Sequence, residues 1–316
     1  MKILITEKKF LVKDNDVSLA EFDKFGDVVI YDNITRDELL RVAGDFDVIL
    51  TNKLIIDREV MSVAKNLKYI GIFATGFNNI DLKCASEKGI TVCNAAGYST
   101  NAVVQQIIGY ILLHYTKIRE YDDFVKRDGW KNADGFSPIE FSSDEVFEKT
   151  LGIIGYGSIG KALEKAAFGL GMKVKVHTRT VPENTSTEFV SFDELLASSD
   201  IISVNCPLTD KTANLFNEDS FNKMKDGAFF INTSRGGTVD EDALYNALVS
   251  GKLSGAAVDV LKCEPMDKNS KLCNAPNIII TPHSSWSSVA TRGRLVGVVA
   301  RNLEAFINGK PQNVVN

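Results

Sequence analysis

Short apolar segments alternate with amphipathic segments through the first third of the chain. Apolar runs bounded by polar or turn-forming residues predict buried strands at residues 2–6, 27–31, 47–51, 68–72 and 90–94. Between them, helical spacing occurs at 35–42 and at 57–64, and an aspartate in the capping position opens the second of these segments. Alternation of this kind indicates a parallel sheet with helices on both faces.

A second alternating series begins near Thr150. Its predicted strands are residues 151–154, 173–178, 201–205, 228–232, 255–260 and 277–281. Predicted helices lie between them, one opened by a capping-box pattern at 191–194 and another at 241–249. Six strands with crossover helices are typical of a doubly wound dinucleotide-binding sheet. We therefore predict an α/β protein with two doubly wound parallel sheets.

Three further segments complete the pattern. A long apolar helix is predicted from Ser99 to Tyr115, and an amphipathic helix from Thr291 to Phe306. The segment 129–147 is rich in Gly, Asp and Ser and is predicted to be an irregular connector.

A glycine-rich turn separates the first strand of the second series from its helix. Gly155, Gly157 and Gly160 follow an apolar run and precede a helix-forming sequence, which is the context that a G-x-G-x-x-G phosphate-binding turn requires. The first glycine permits the tight turn, the second lets backbone N–H groups approach a pyrophosphate, and the third lets the helix pack against the strand. A dinucleotide cofactor is the hypothesis that this turn favours.

Composition narrows the functional classes. The 316 residues suit two domains, and the net charge of −5, with signs interspersed, argues against a nucleic-acid partner. The five cysteines have neither paired nor regular spacing, so free thiols are expected and a zinc site or other metal site is not. The short apolar start is interpreted as a strand, and no apolar run approaches membrane-spanning length. We expect a cytoplasmic protein without a membrane partner.

Side chains that are able to act in catalysis follow three consecutive strands of the second series. Arg235 follows the fourth strand, Glu264 the fifth and His283 the sixth. Parallel strands deliver these residues to one sheet edge, where a planar cation, a carboxylate and an imidazole can act together. Of the other two histidines, His114 is most simply a packed or interface residue, and His177 ends the second strand near the expected adenosine ribose.

Two loops of the first series lie at the edge where ligands collect in open α/β sheets. One contains Asn52 and Lys53, and the other spans residues 74–81. The pattern alone leaves open whether Thr75 and Gly76 bind a ligand or only form a strand-to-helix turn.

Together these motifs resemble the D-2-hydroxyacid dehydrogenase family. The resemblance rests on the glycine turn, on 206–209, on 232–237, on Asp259-Val260 with Glu264-Pro265, and on Thr281-Pro282-His283. Within the family the chain is similar to glycerate dehydrogenases, also called hydroxypyruvate reductases, through 74–81, 97–100, Trp286 and the ending 309–316.

The resemblance implies a domain organisation and a set of site residues. A cofactor domain of Rossmann type, 99–287, would be inserted into a flavodoxin-like substrate domain formed by 1–98 and 288–316, with the active-site cleft where the two meet and a homodimer through the cofactor domain. The implied catalytic residues are Arg235, Glu264 and His283. The implied substrate-binding residues are Lys53, Ala74, Thr75, Gly76, Arg235, His283 and Trp286. The implied cofactor-binding residues are Gly155, Gly157, Ser158, Ile159, Gly160, Thr178, Arg179, Cys206, Pro207, Thr212, Thr233, Asp259, His283 and Ser285.

The end of the second strand departs from the usual NAD pattern. An NAD site has a carboxylate there for the ribose hydroxyls, whereas this chain has Thr178-Arg179-Thr180. Arg179 would pair with a 2′-phosphate, or it would stack on the adenine of NAD. NADP preference or dual use of NAD(P)H is the interpretation that we favour.

The expected reaction is hydride transfer between NAD(P)H and a small 2-oxo acid, with hydroxypyruvate or glyoxylate favoured and His283 as acid and base. Two alternatives stay open from the sequence. One is a dehydrogenase for another 2-oxo acid such as pyruvate. The other is a dinucleotide-sensing interaction protein similar to the corepressors that share this fold.

Overall fold

Two compact units make up the chain in a computed structural model that describes residues 1–183 and 186–316. The terminal unit contains residues 1–99 and 286–316, and the inserted unit contains residues 100–285. These limits differ from the sequence-based domain limits at residues 99, 286 and 287. The assignment of substrate to one unit and cofactor to the other stays a prediction.

The helices and strands follow the predicted alternation closely. The strands are β1 (Lys2–Ile5), β2 (Asp27–Ile30), β3 (Val48–Thr51), β4 (Tyr69–Ile72), β5 (Thr91–Cys93), β6 (Thr150–Ile154), β7 (Lys173–His177), β8 (Glu188–Phe189), β9 (Ile201–Val204), β10 (Ala228–Asn232), β11 (Leu253–Val258) and β12 (Ile278–Ile280). The α-helices are α1 (Arg36–Val42), α2 (Arg58–Val63), α3 (Leu82–Glu87), α4 (Thr100–Thr116), α5 (Ile118–Lys126), α6 (Ser158–Gly169), α7 (Phe192–Ser198), α8 (Glu218–Lys223), α9 (Glu241–Val249) and α10 (Val289–Ile307).

The terminal unit is built on a five-stranded parallel sheet with the order β2-β1-β3-β4-β5. Successive side chains of a strand point to opposite faces, so a strand covered on both faces is apolar throughout. In β1, Ile3 and Ile5 belong to the same buried cluster as Leu295 of α10. Leu4 belongs to a different cluster together with Leu39 of α1. The order is that of the flavodoxin-like class, as predicted.

The inserted unit contains a seven-stranded parallel sheet with the order β12-β11-β10-β9-β6-β7-β8. Strand order reverses beside β6, which creates the switch point where ligands bind in such sheets. The prediction of six strands was one short, because β8 was not recognised. That strand has two residues and pairs only with β7, so it is too short to show a sequence periodicity.

The segment between α4 and β6 also differs in part from the prediction. Helix α5 was not anticipated, and it begins directly after Lys117, whose φ of 55° breaks the path of α4. From residue 127 to 149 the chain contains turns and bends but no helix or strand, as expected for a connector. Its apolar side chains include Phe136 and Ile139, which are 93% and 92% exposed.

Side-chain caps fix several helix starts. Asp57 caps α2 by accepting a hydrogen bond from Val60 N, as the sequence indicated. Ser191 accepts from Glu194 N at the start of α7, which is one half of the predicted capping box. A complete box occurs at α1, where Thr35 and Glu38 bond each other's backbone N–H groups.

His114 is a packed residue at the amino edge of the inserted sheet, one of the two roles that the sequence allowed. Its ring stacks on Phe229 with centroids 4.0 Å apart, and its Nε2 lies 3.0 Å from Ser254 Oγ. Burial, assisted by the positive charge of Lys117, lowers the pKa of His114 from 6.5 to about 4. The folded protein therefore favours the neutral imidazole.

This burial predicts a pH dependence of stability. Between pH 6.5 and pH 4 the unfolded chain binds a proton at His114 that the folded chain does not, so stability falls as the pH falls through this window. The shift corresponds to a loss of about 2 kcal/mol between pH 7 and pH 5. His114→Gln should lack this loss, and urea unfolding of both proteins at the two pH values measures it. Equal pH dependence in both proteins would show that His114 titrates normally.

Candidate active site

The glycine turn of the inserted unit has the close contacts that its sequence requires. Gly155 has a φ of +92°, and a Cβ at this position would lie 2.8 Å from Cys206 N. A Cβ on Gly160 would lie 2.3 Å from Gly155 O, so the first turn of α6 packs directly on the backbone of the turn. Larger residues at either position would separate β6 from α6 or from the end of β9.

The start of α6 fits a dinucleotide pyrophosphate. Gly157 precedes the helix and supplies no side-chain cap, so the first N–H groups of the helix, at Ser158 and Ile159, point outward without a side-chain acceptor. Apart from Gly157 and its two chain neighbours, no described residue has an atom within 4 Å of the place where a Cβ of Gly157 would be, and both Gly157 and Ser158 are exposed. A helix N-terminus with this access favours an anionic group.

The residues after β7 and β9 flank this turn. His177 is fixed structurally, because its Nδ1 lies 3.1 Å from Val190 O and its ring packs against Phe192. Thr178 follows it half-buried, and Arg179 is exposed.

The loop after β9 contains three more of the predicted cofactor residues, Cys206, Pro207 and Thr212. Thr212 Oγ1 donates a hydrogen bond to Pro207 O at 2.7 Å, and Cys206 is partly buried. Burial raises the pKa of the Cys206 thiol, which therefore stays protonated near neutral pH.

A buried carboxylate, that of Asp259, organises the turn that carries His283. Asp259 is 1% exposed, and its Oδ1 and Oδ2 accept hydrogen bonds from Ser284 N at 2.8 Å and from Ser285 N at 3.0 Å. The Thr281 hydroxyl also donates to Oδ1, and His283 N donates to Asp259 O at 2.7 Å. These bonds hold His283 at a φ of 51°, in the left-handed region that non-glycine residues seldom adopt.

His283 and Glu264 form a directed pair. His283 Nδ1 donates to Glu264 Oε2 at 2.7 Å, while Glu264 Oε1 accepts from Leu261 N at 3.1 Å. The side chains are 26% and 37% exposed, so the pair is accessible to a small ligand. Because the carboxylate engages Nδ1, the proton on that nitrogen is fixed and Nε2 is the nitrogen that remains for acid and base chemistry.

Arg235 lies on a loop with a rigid backbone after β10. Arg235 O accepts hydrogen bonds from Asn232 Nδ2 at 3.1 Å and from Thr238 Oγ1 at 2.7 Å. Its Nη1 donates to Ser234 O, and no carboxylate forms an ion pair with it among the described residues. The guanidinium therefore keeps most of its donors for an anionic ligand.

The loops after β10 and β11 touch each other. A Cβ on Gly236 would lie 1.9 Å from Leu261 C, so only glycine allows the Arg235 loop to pack on the segment that leads to Glu264. Thr233, in the first of these loops, is 9% exposed, and its hydroxyl has no hydrogen-bond partner within the described part of the chain. The structure thus gathers Arg235, Glu264, His283 and Asp259 at the carboxyl edge of three adjacent strands.

The remaining predicted substrate residues belong to the terminal unit. Lys53 follows β3, and its side chain is exposed. Thr75 follows β4 beside Ala74 and Gly76, and its Oγ1 donates to Ala95 O at 2.8 Å. Trp286 packs edge-on against Tyr98, with ring centroids 6.3 Å apart.

Sequence reasoning missed two residues that fix these loops. Glu7 accepts hydrogen bonds from the backbone of the Lys53 loop, and Asn94 Nδ2 donates to Thr75 O at 2.7 Å. The only available signal was their position, since each follows or ends a strand whose carboxyl end lies at this edge.

Residues 1–183 and 186–316 contain neither a candidate metal site nor a candidate membrane-spanning helix. No group of three or more His, Cys, Asp and Glu side chains is arranged to hold a metal ion. None of the helices described there is long and apolar enough to cross a membrane.

Comparisons with known proteins agree with this geometry. The family model for the D-isomer specific 2-hydroxyacid dehydrogenase NAD-binding domain matches residues 108–285. A hydroxypyruvate reductase of Blautia hydrogenotrophica is 36% identical over 322 residues, which cover 100% of both chains. A glyoxylate reductase of Thermococcus litoralis is 36% identical over 100% of this chain and 96% of its own.

A solved structure extends the likeness to the fold. An acyclic imino acid reductase in complex with NADPH and D-Arg superposes with a TM-score of 0.88 at 27% identity, over 100% of both chains. Both the sequence match and the fold cover the two units and the segment that contains Arg235, Glu264 and His283. The chain belongs to the D-isomer specific 2-hydroxyacid dehydrogenase family and is an oxidoreductase with a nicotinamide dinucleotide cofactor.

Proposed function

We propose that this enzyme reduces a small 2-oxo acid, hydroxypyruvate or glyoxylate, to the D-2-hydroxy acid with NAD(P)H. The observation that carries the proposal is the His283–Glu264 pair, with Nδ1 and Oε2 2.7 Å apart on the loops of neighbouring strands. The names of the similar proteins from Blautia hydrogenotrophica and Thermococcus litoralis support the two substrates.

Proton transfer is the task of His283 in this reaction. The bound dinucleotide supplies the hydride that reduces C2 of the substrate. His283 Nε2 donates a proton to the carbonyl oxygen, which becomes the hydroxyl group. Glu264 stabilises the imidazolium before the transfer and keeps Nδ1 protonated after it.

Binding and polarisation of the substrate are the tasks of Arg235. Its planar fork matches a carboxylate and an adjacent carbonyl oxygen, and the charge on that oxygen increases as the hydride arrives. In the terminal unit, Lys53 and the backbone N–H groups of Thr75 and Gly76 are proposed to bind the substrate carboxylate. Arg235 and these residues of the terminal unit would thus bind the carboxylate and the carbonyl oxygen, which all 2-oxo acids share.

An assay with a panel of 2-oxo acids tests the proposed function. NADH and NADPH oxidation is followed with hydroxypyruvate, glyoxylate, pyruvate and longer 2-oxo acids, and kcat/KM is expected to be highest for the first two. A higher kcat/KM for pyruvate would show that the proposed substrate is wrong, although the proposed reaction, reduction of a 2-oxo acid, would still hold. Tight cofactor binding without turnover of any 2-oxo acid would favour the dinucleotide-sensing interaction protein.

The role of His283 predicts a specific kinetic defect. His283→Asn should lower kcat by about a hundredfold or more, because a general acid is removed, while the Kd for NADH stays close to the wild-type value. Steady-state kinetics and fluorescence titration of NADH measure the two quantities. His114→Gln is the matched control, since His114 packs at the opposite edge of the sheet, and it should retain kcat. A His283→Asn enzyme with kcat within threefold of wild type would exclude the proton-transfer role.

We also propose that the enzyme uses NADPH preferentially or alongside NADH. Thr178 stands where a carboxylate would repel a 2′-phosphate, and the exposed Arg179 is the adjacent cation. The solved relative that binds NADPH supports this choice, although the matching family model is named for NAD.

Cofactor choice can be tested at these two positions. Arg179→Ala should lower kcat/KM for NADPH by about ten- to a hundredfold more than for NADH, which is the typical effect of one charge-assisted contact. Thr178→Asp should shift preference toward NADH through repulsion. As a control, Lys173→Ala removes a cation at the other end of β7 and should change kcat/KM for neither NADPH nor NADH. Equal losses with both cofactors in Arg179→Ala would show that this residue does not bind the phosphate.

A homodimer formed through the inserted unit is part of the proposal. The connector 127–149 has no regular structure and exposes Phe136, Ile139 and Trp130. Aromatic and aliphatic side chains of this size are unfavourable in water, and a second copy of the chain would cover them.

The oligomeric state tests this surface. Phe136→Ser combined with Ile139→Ser should shift the molar mass from dimer toward monomer in light scattering at micromolar protein. Ile307→Ser removes an exposed aliphatic side chain from α10 of the terminal unit and should leave the dimer intact. A monomeric wild-type enzyme would refute the proposed assembly.

A further inference from the structure

The carboxylate of Glu7 is buried at the carboxyl edge of the terminal sheet. Glu7 is 4% exposed, and it follows β1 by two residues. Its Oε2 accepts hydrogen bonds from Asn52 N at 2.8 Å, from Thr51 Oγ1 at 2.9 Å, and from Lys53 N and Thr6 Oγ1 at 3.1 Å. Its Oε1 accepts from Lys53 N at 3.2 Å. Every one of these donors is a neutral hydroxyl or backbone group.

This arrangement links the position of Glu7 to the conformation of one loop. A buried carboxylate needs hydrogen bonds to offset the loss of water, and most of the bonds here come from residues 51–53. Conversely, the N–H groups of Asn52 and Lys53 find their acceptor in this side chain. The backbone of the loop can therefore leave this conformation only by exposing or stranding the Glu7 charge.

The same loop is connected to the next one along the sheet edge. Asn52 is 3% exposed, and its Nδ2 donates to Phe73 O at 2.6 Å, while Phe73 N donates to Thr51 O at 2.8 Å. Phe73 directly precedes Ala74, Thr75 and Gly76. Glu7 thus supports the backbone of Lys53 directly and that of the Thr75 loop through Asn52.

We propose that Glu7 is a positioning residue for substrate binding, which fixes the Asn52–Lys53 backbone so that the Lys53 ammonium is held ready for the substrate carboxylate. The inference rests on the proposed function, because the role of Lys53 in binding the substrate carboxylate is part of that proposal. Pre-ordering a cation in this way lowers the entropy lost when an anionic substrate binds. Glu7 itself need not touch the substrate.

The kinetic signature of positioning is a change in KM. Glu7→Ala should raise KM for the preferred 2-oxo acid by about tenfold or more, with kcat within about twofold and the Kd for NAD(P)H unchanged. Glu7→Gln should restore KM, because a carbonyl oxygen in the place of Oε2 can accept from Asn52 N, from Lys53 N and from the two threonine hydroxyls.

A matched control separates positioning from general destabilisation. Asp47 lies at the opposite edge of the same sheet, where its carboxylate accepts from Lys2 N and from Lys68 Nζ, both at 3.0 Å. Asp47→Ala also removes a carboxylate that satisfies a backbone N–H group, and it should leave KM at the wild-type value. A rise in KM in Asp47→Ala equal to that in Glu7→Ala would overturn the proposal.

A double-mutant cycle tests whether Glu7 acts through Lys53. Adding Glu7→Ala to Lys53→Ala should raise KM by a clearly smaller factor than in the wild-type enzyme, because one of the positioned groups is already absent. An undiminished effect of Glu7→Ala in the Lys53→Ala enzyme would show that Glu7 does not act through Lys53, and the proposal would be wrong.

Hydrogen exchange provides a readout that does not depend on turnover. The amides of Asn52 and Lys53 should exchange about tenfold faster or more in Glu7→Ala, and amides of the inserted unit should not change. If the wild type reduced no 2-oxo acid, the proposed function would fail, and this measurement would still report on the loop. Unchanged exchange at residues 52 and 53 would refute the positioning role by itself.

Discussion

The conformation of the turn that carries His283 depends on a buried charge, the carboxylate of Asp259. With 1% exposure it cannot be solvated by water, so it takes its hydrogen bonds from the turn that follows β12. That turn places His283 in a left-handed conformation that costs on the order of 1–3 kcal/mol for a residue with a Cβ. Breaking the turn would leave Asp259 unsatisfied, at a comparable or higher cost. The strained conformation of His283 is therefore tolerated, because relieving it would leave the buried Asp259 carboxylate without its hydrogen bonds.

The two units solve a similar problem in a similar way. Asp259 in the inserted unit and Glu7 in the terminal unit each follow a strand, lie within hydrogen-bond distance of backbone N–H groups from another segment, and are almost fully buried. In both cases the parallel arrangement of strands brings the loops to one edge, and the carboxylate fixes their backbone. Sheet topology alone brings the loops close together, whereas the hydrogen bonds to these carboxylates give each loop a defined backbone geometry.

Sequence patterns predicted the parts of the fold that depend on burial. Strands covered on both faces, such as β1 and β10, are largely apolar, and the prediction placed the ends of these two within one residue of those observed. Strand β11 was predicted two residues too late at both ends, as 255–260 in place of Leu253–Val258. The pattern could not reveal β8, because two residues at a sheet edge need not be buried on either face. Arg235, Glu264 and His283 were proposed as site residues because each follows a strand and together they match a family motif.

The supporting residues were less accessible to sequence reasoning for a physical reason. The position of Glu7 in Ile5-Thr6-Glu7-Lys8 resembles that of an ordinary surface carboxylate, because it is followed by two lysines. Its burial depends on the path of residues 51–53, which are far away in the sequence. Asp259 was expected only to bind the cofactor, and its bonds to the His283 turn depend on tertiary structure in the same way.

The end of the chain gives these loops a further support. Asn313 Nδ2 donates to Asn302 Oδ1, Asn302 Nδ2 donates to Asn94 O, and Asn94 Nδ2 donates to Thr75 O. The side-chain amide of Asn302, which is 1% exposed, both accepts and donates, so its replacement would remove a bond to Asn94 O and a bond from Asn313 Nδ2. Asn302 lies on α10 and Asn313 on the segment that follows it, so hydrogen bonds connect the Thr75 loop to the residues that pair with β5 through Val314. The discontinuity of the terminal unit is thus part of how its sheet edge is ordered.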